Sequence, residues 1–186
     1  MVRKNIKGAG HLSVFIYFFL FLVMVSLLWI FRNTKAGHSL NLLLLIHDVK
    51  LFVIVLFLGG GIIFISVKLF DMYDSSGLTK NEFMEMSKSL NDASPFTLAL
   101  TSSLAEEFLF RGLIQYVGGY YVQAIFFGFM HWPSGKKLII WPVWALLSGS
   151  VFGLMVSYTG SIWGVVIVHF AINLTSLREL RKDHIQ

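Results

Sequence analysis

The 186-residue sequence predicts an all-α fold, a polytopic membrane helix bundle of about six transmembrane helices. Three observations predict it. The composition is 56% hydrophobic and 16% aromatic with only 13% charged residues, and the mean hydropathy is +0.73, outside the range of soluble domains. The apolar residues gather in runs long enough to cross a bilayer, which takes about 20 residues per helix. Lys and Arg flank those runs instead of forming a stripe with interleaved aromatics, so the net charge of +5 points to membrane topology and not to nucleic acid. Cysteine is absent, which excludes a disulfide framework, a thiolate metal site and a cysteine nucleophile. No repeat, linker or low-complexity tract divides the chain.

The spans are expected at 12–31, 48–69, 95–117, 119–134, 138–157 and 161–177. Residues 1–7 are basic, but the run that follows is too long for a signal-peptide core and lacks a small-residue cleavage site, so it is read as a retained first helix. In the second span, Gly59-Gly60-Gly61 permits close helix contact. The polar stretch from Asp71 to Ser94 contains a capping box, Thr79 with Glu82, ahead of Phe83, Met84, Met86 and Leu90, and predicts a short amphipathic surface helix. Asp92 and Ser94 precede Pro95, a suitable cap and first-turn residue for the third span. These boundaries divide the chain into an N-terminal part (1–94), a core (95–177) and a basic tail (178–186).

Orientation follows from the basic residues. With the N-terminus inside, Arg3, Lys4, Lys7, Lys68, Lys80, Lys88, Lys136, Lys137, Arg178, Arg181 and Lys182 are inside, and only Arg32, Lys35 and Lys50 are outside. Both termini are therefore expected in the cytoplasm.

Against this apolar background a few polar residues stand out. A charge at the bilayer centre costs roughly 2.5–3.5 kcal/mol on insertion scales, so a chain that retains such residues generally uses them. On the third span, Glu107 and Arg111 are four residues apart on one helical face, a spacing suited to a carboxylate–guanidinium pair. Glu106 points about 100° away, has no basic residue three or four positions off, and is left as the free acid, suited to general-base work. On the fourth span, Phe127 and His131 share a face near the helix end, which Trp132-Pro133 marks. On the sixth span, His169 and Asn173 share a face in an apolar run, where imidazole and carboxamide donors could hold a developing oxyanion or link two helices. Glu106 lies about 16 Å into its helix. The polar groups of all three spans can meet slightly cytoplasmic of the midplane, and together they suit hydrolysis of a peptide bond.

In order on separate apolar helices, Glu106-Glu107-Phe108-Leu109-Phe110-Arg111, Phe127-Gly128-Phe129-Met130-His131 and His169-Phe170-Ala171-Ile172-Asn173 resemble the motifs of the CPBP (Abi) family of intramembrane proteases. The approach to the last motif, Gly149 to Leu154 and Thr159 to Trp163, resembles that family as well. The resemblance covers 95–177. It implies an intramembrane endopeptidase in which Glu106 and His131 activate water, His169 and Asn173 stabilise the oxyanion, and Glu107 and Arg111 support the third helix. It favours a metal-free mechanism, with a Zn2+ site on Glu106, His131 and His169 as the alternative. The implied partners are the lipid bilayer and a membrane-associated protein or peptide, foremost a C-terminal sorting or anchor signal, with CAAX prenyl processing as the alternative. Three rival readings stay open: a serine–histidine dyad of rhomboid type using Ser148 or Ser150, a non-catalytic bacteriocin-immunity or partner-binding protein, and a proton-coupled transporter.

Overall fold

The computed structural model describes residues 8–30, parts of 53–68, residue 88, and residues 90–132 and 140–182. Among the described residues the regular structure is entirely helical. The elements are α1 (Ala9–Ile30), α2 (Pro95–Glu107), a π-helical segment (Phe108–Ile114), α3 (Gln115–Met130), α4 (Ile140–Thr159) and α5 (Trp163–Lys182). The second expected span is described only in pieces, helical over 57–62, and the Thr79–Glu82 capping box lies outside the described residues.

α1 carries no charged residue, and Ala9–Ile30 and Trp141–Thr159 are each long and apolar enough to cross a membrane. Phe15, Ile16, Phe19 and Leu22 face outward, while Gly10, Met24 and Leu28 are buried. A helix apolar on every side needs lipid or protein on every side.

Ser94, with extended backbone, accepts a hydrogen bond from the Thr97 amide at 3.1 Å, and Pro95 occupies the first turn of α2. Ser94 is therefore the cap. Asp92, also a candidate by sequence, turns instead to α1: its carboxylate accepts from the amides of Gly10 (2.8 Å) and His11 (3.3 Å) and meets the His11 ring at 2.9 Å. A carboxylate on the exposed amides of a helix N-terminus satisfies groups that have no partner within the helix. Gly10 is required there, because a Cβ would lie 2.4 Å from Asp92 Oδ1. Arg181 of α5 closes the same turn by donating to the carbonyls of Leu90 (3.0 Å) and Ala93 (2.8 Å).

The His11 contact, with the two backbone amides adding to it, lowers the Asp92 carboxyl from 3.8 to about 2. A carboxyl depressed in the folded state contributes stability that is present above its ordinary value and is lost as pH falls through the folded one. The docking of α1 should therefore weaken between about pH 4 and pH 2. Amide exchange at Gly10 and His11 in detergent checks this: protection should fall over that range in the wild type, and Asp92→Asn should show weak protection throughout.

Residue pairings give the helix directions. Gly10 lies at Asp92 and Leu28 at Gly112, so α1 and the α2–π segment run parallel. α2 and α5 run antiparallel, since Glu107 meets His169 while Ser102 meets Asn173. Phe108, Phe152, Met155, Ile162, Val165 and Val168 form the core with Met24 and Leu28 of α1.

Two sequence features place α3 against the π-helical segment and against α4. Gly119 has φ 83° and ψ 175°, a conformation essentially confined to glycine. The chain folds back there: Phe110 and Phe127, on either side of it, meet edge to face at 4.9 Å, whereas a straight helix would hold them about 25 Å apart. The expected break between the third and fourth spans falls at this residue. Gly119→Ala should cost about 1–3 kcal/mol, read as a lowered Tm in detergent. α4 then packs closely on α3 because its contact positions are small. A Cβ at Gly149 would lie 2.9 Å from Phe127 Cδ1, and one at Gly153 would lie 2.2 Å from Gln123 Nε2. α5 runs to Lys182, so Arg178, Arg181 and Lys182 belong to its last turns.

Candidate active site

The polar residues singled out in the sequence converge from three helices. Glu106 and Glu107 end α2, His131 caps the C-terminus of α3, and His169 and Asn173 lie on α5. Glu106 Oε2 is 3.7 Å from His131 Nε2 and 3.9 Å from His169 Nε2.

The histidines are oriented through their other nitrogens. His131 Nδ1 is 2.7 Å from the Phe127 carbonyl, which can only accept, so Nδ1 carries the proton. His169 Nδ1 is 2.6 Å from Glu107 Oε1, where a carboxylate likewise accepts. The tautomers inferred from these partners direct both Nε2 atoms toward Glu106. Ring packing holds the planes: His131 on Phe127 (4.5 Å) and Trp141 (6.1 Å), His169 against Phe152 (5.7 Å) and Phe127 (5.9 Å).

Glu107 does more than pair with Arg111. Its Oε1 accepts from Arg111 Nη1 at 2.9 Å and from His169 Nδ1 at 2.6 Å, and both its side chain and that of Arg111 are wholly buried. The guanidinium lies 4.3 Å from the Phe127 ring centre and 5.2 Å from that of Phe152, distances at which a cation is attracted to the ring quadrupole. Its Nη2 donates to the Gly149 carbonyl at 3.4 Å, where Gln123 Nε2 also donates at 3.1 Å. A buried charge of this kind is tolerable only with several such partners.

Glu106 is placed differently. Its side chain is 15% exposed, and Oε2 is buried with no hydrogen-bond partner among the described residues. A carboxylate oxygen and two imidazole Nε2 atoms thus face one space with no donor between them. Three converging acceptors suit a water, which supplies two O–H groups. The same donor types would suit zinc. As arranged, though, no three His, Asp or Glu side chains among the described residues approach closely enough to share a metal ion.

Asn173 sits one turn from His169 and donates through Nδ2 to Ser102 Oγ (3.1 Å) and Ser103 Oγ (3.4 Å). Ser148 and Ser150 donate to carbonyls of their own helix, Trp144 (2.9 Å) and Leu146 (2.8 Å). Neither hydroxyl therefore forms a dyad with His169.

Sequence reasoning missed the π-helical segment, Ser102, Ser103, Gln123 and the Gly149 carbonyl. The serines were legible as polar residues one turn before the glutamates. The carbonyl and the π-helical turns carry no side-chain signal.

A family model described as Type II CAAX prenyl endopeptidase Rce1-like matches residues 93–175, the stretch that supplies the site residues described above. The uncharacterized protein YpbD of Bacillus subtilis is 27% identical over 117 residues, which cover 62% of this chain and 58% of YpbD. The chain thus spans rather more than half the length of that relative. No solved structure matches.

Proposed function

We propose, for a chain whose residues 93–175 match the family model described as Type II CAAX prenyl endopeptidase Rce1-like, that it hydrolyses a peptide bond at the membrane in a protein or peptide substrate. The observation that carries the reading is the unpartnered Glu106 Oε2 facing two imidazole Nε2 atoms at 3.7 and 3.9 Å.

A water held by these three groups is polarised toward Glu106, which takes one of its protons as the water oxygen attacks the scissile carbonyl. His131, fixed by the Phe127 carbonyl, orients that water. The carbonyl oxygen becomes an oxyanion. His169 is the group to stabilise it: with Nδ1–H held by Glu107, Nε2 takes up a proton from solvent as the substrate enters, donates that N–H to the oxyanion, and gives the proton back to solvent when the products leave. Asn173 adds a second donor if one amide hydrogen leaves a serine. Collapse of the tetrahedral intermediate breaks the C–N bond, and Glu106 returns its proton to the leaving amine.

The substrate we favour is a C-terminal sorting or anchor signal: a short motif, a hydrophobic helix and a basic tail, reached from the cytoplasmic side in a bacterial inner membrane. A CAAX prenyl peptide is the second candidate, because the family description names one. The test maps new protein termini by mass spectrometry in cells expressing wild type or Glu106→Gln at matched membrane levels. It also follows cleavage of a quenched fluorescent peptide with that three-part plan. Termini and fluorescence found only with wild type support the reading. Cleavage lost in chelator and restored by zinc would instead place a metal on Glu106, His131 and His169. Identical termini with a folded mutant would overturn proteolysis in favour of an immunity or scaffold role.

A further inference from the structure

Between α2 and α5 the same arrangement occurs twice, one helical turn apart. In the upper rung the adjacent residues Glu106 and Glu107 face His169, with Glu107 holding its Nδ1 at 2.6 Å. In the lower rung the adjacent residues Ser102 and Ser103 face Asn173, whose Nδ2 donates to them at 3.1 and 3.4 Å. Each serine precedes a glutamate by four residues, and Asn173 follows His169 by four. Ser102 Oγ in turn donates to the Ala99 carbonyl at 3.3 Å, so the hydroxyl presents its lone pairs to the amide. Ser103 is fully buried and Ser102 nearly so.

We propose that Ser102, assisted by Ser103, is a positioning residue for the proteolytic reaction: it fixes the Asn173 carboxamide with its N–H groups toward α2, beside Glu106. This rests on the proteolytic reading above. A carboxamide is nearly symmetric in shape and can present either oxygen or nitrogen to the site. Only the nitrogen can donate to an oxyanion, and an acceptor held at 3.1 Å selects it. The two contacts differ in strength. A separation of 3.1 Å lies within the ordinary N–H···O range, whereas 3.4 Å lies beyond it. The hydrogen directed at Ser102 is therefore the anchor, and the one directed at Ser103 is the one a substrate carbonyl oxygen can take. Glu107 thus selects the tautomer of His169 on one rung, and Ser102 selects the orientation of Asn173 on the next. A misplacement of about 1 Å at such a group can cost about 10²-fold in rate.

The test uses the full-length protein in detergent and the same quenched fluorescent peptide. Ser102→Ala should lower kcat roughly tenfold, with KM, Tm and the pH profile little changed. Ser102→Thr, which keeps the hydroxyl, should restore it. In an Asn173→Ala background, Ser102→Ala should have no further effect, because the serine acts only through the amide. A second readout needs no turnover: with 15N-labelled asparagine, the Asn173 side-chain amide signals should shift in Ser102→Ala and return in Ser102→Thr. Additive losses of kcat, or an unchanged kcat with unmoved amide signals, would overturn the positioning role. Moved amide signals in a protein that cleaves nothing would leave the clasp standing while the proteolytic reading fails.

Discussion

Glu106→Gln should lower cleavage by about 10²–10⁴-fold, the range assigned to a positioned general base, while leaving the protein as stable as the wild type or slightly more so. The two halves of this result have one cause. Glu106 Oε2 is buried and without a hydrogen-bond partner among the described residues, so the folded protein carries a poorly solvated carboxylate that contributes nothing to cohesion. Glutamine keeps the shape and removes the charge. It also replaces an acceptor facing two Nε2 acceptors with an amide that can donate to one of them. Initial rates on the fluorescent peptide and thermal unfolding in detergent check both halves. A variant that loses activity only because it unfolds would contradict this account of Glu106.

Arg111→Met should have the opposite balance, with a loss of about 3–5 kcal/mol in stability, the scale for leaving one member of a buried ion pair uncompensated. Glu107 and Arg111 are both wholly buried, and the guanidinium also bonds the Gly149 carbonyl and lies against the Phe127 and Phe152 rings. Methionine fills part of the volume but leaves the Glu107 carboxylate with His169 as its one remaining partner among those described. Adding Glu107→Gln removes the stranded charge and should recover most of the stability, since replacing both members of a buried pair is far milder than removing one. Activity should stay low, because an amide can turn either its oxygen or its nitrogen to Nδ1 and so no longer fixes the His169 tautomer. Comparing Tm and cleavage across wild type, Arg111→Met, Glu107→Gln and the double variant separates the structural duty of Glu107 from its duty toward His169.

Some of this was determined by the sequence alone. Uncharged runs interrupted at fixed places by Glu106-Glu107, Arg111, His131, His169 and Asn173 left few sites for those residues except facing one another, because lipid accepts none of them singly. The four-residue spacing set Glu107 toward Arg111 and left Glu106 apart, and the structure has that pairing. Ser94-Pro95 marked the start of α2, and Gly119 fell at the expected break between two spans.

Other features depended on contacts between residues far apart in the chain. Asp92 reads locally as a helix cap, yet it serves α1, because parallel packing of α1 and α2 brings the Gly10 amide to 2.8 Å. The Gly149 carbonyl becomes a partner of Arg111 only because α4 lacks side chains where α3 crosses it. The π-helical turns at Phe108–Ile114 leave no trace in hydropathy. The division of labour between His169, turned to Glu107, and Asn173, turned to the serines, is likewise a product of the antiparallel α2–α5 register. Periodicity along one helix states which side chains share a face. Which partner that face meets, and through which atom, is fixed when the helices pack.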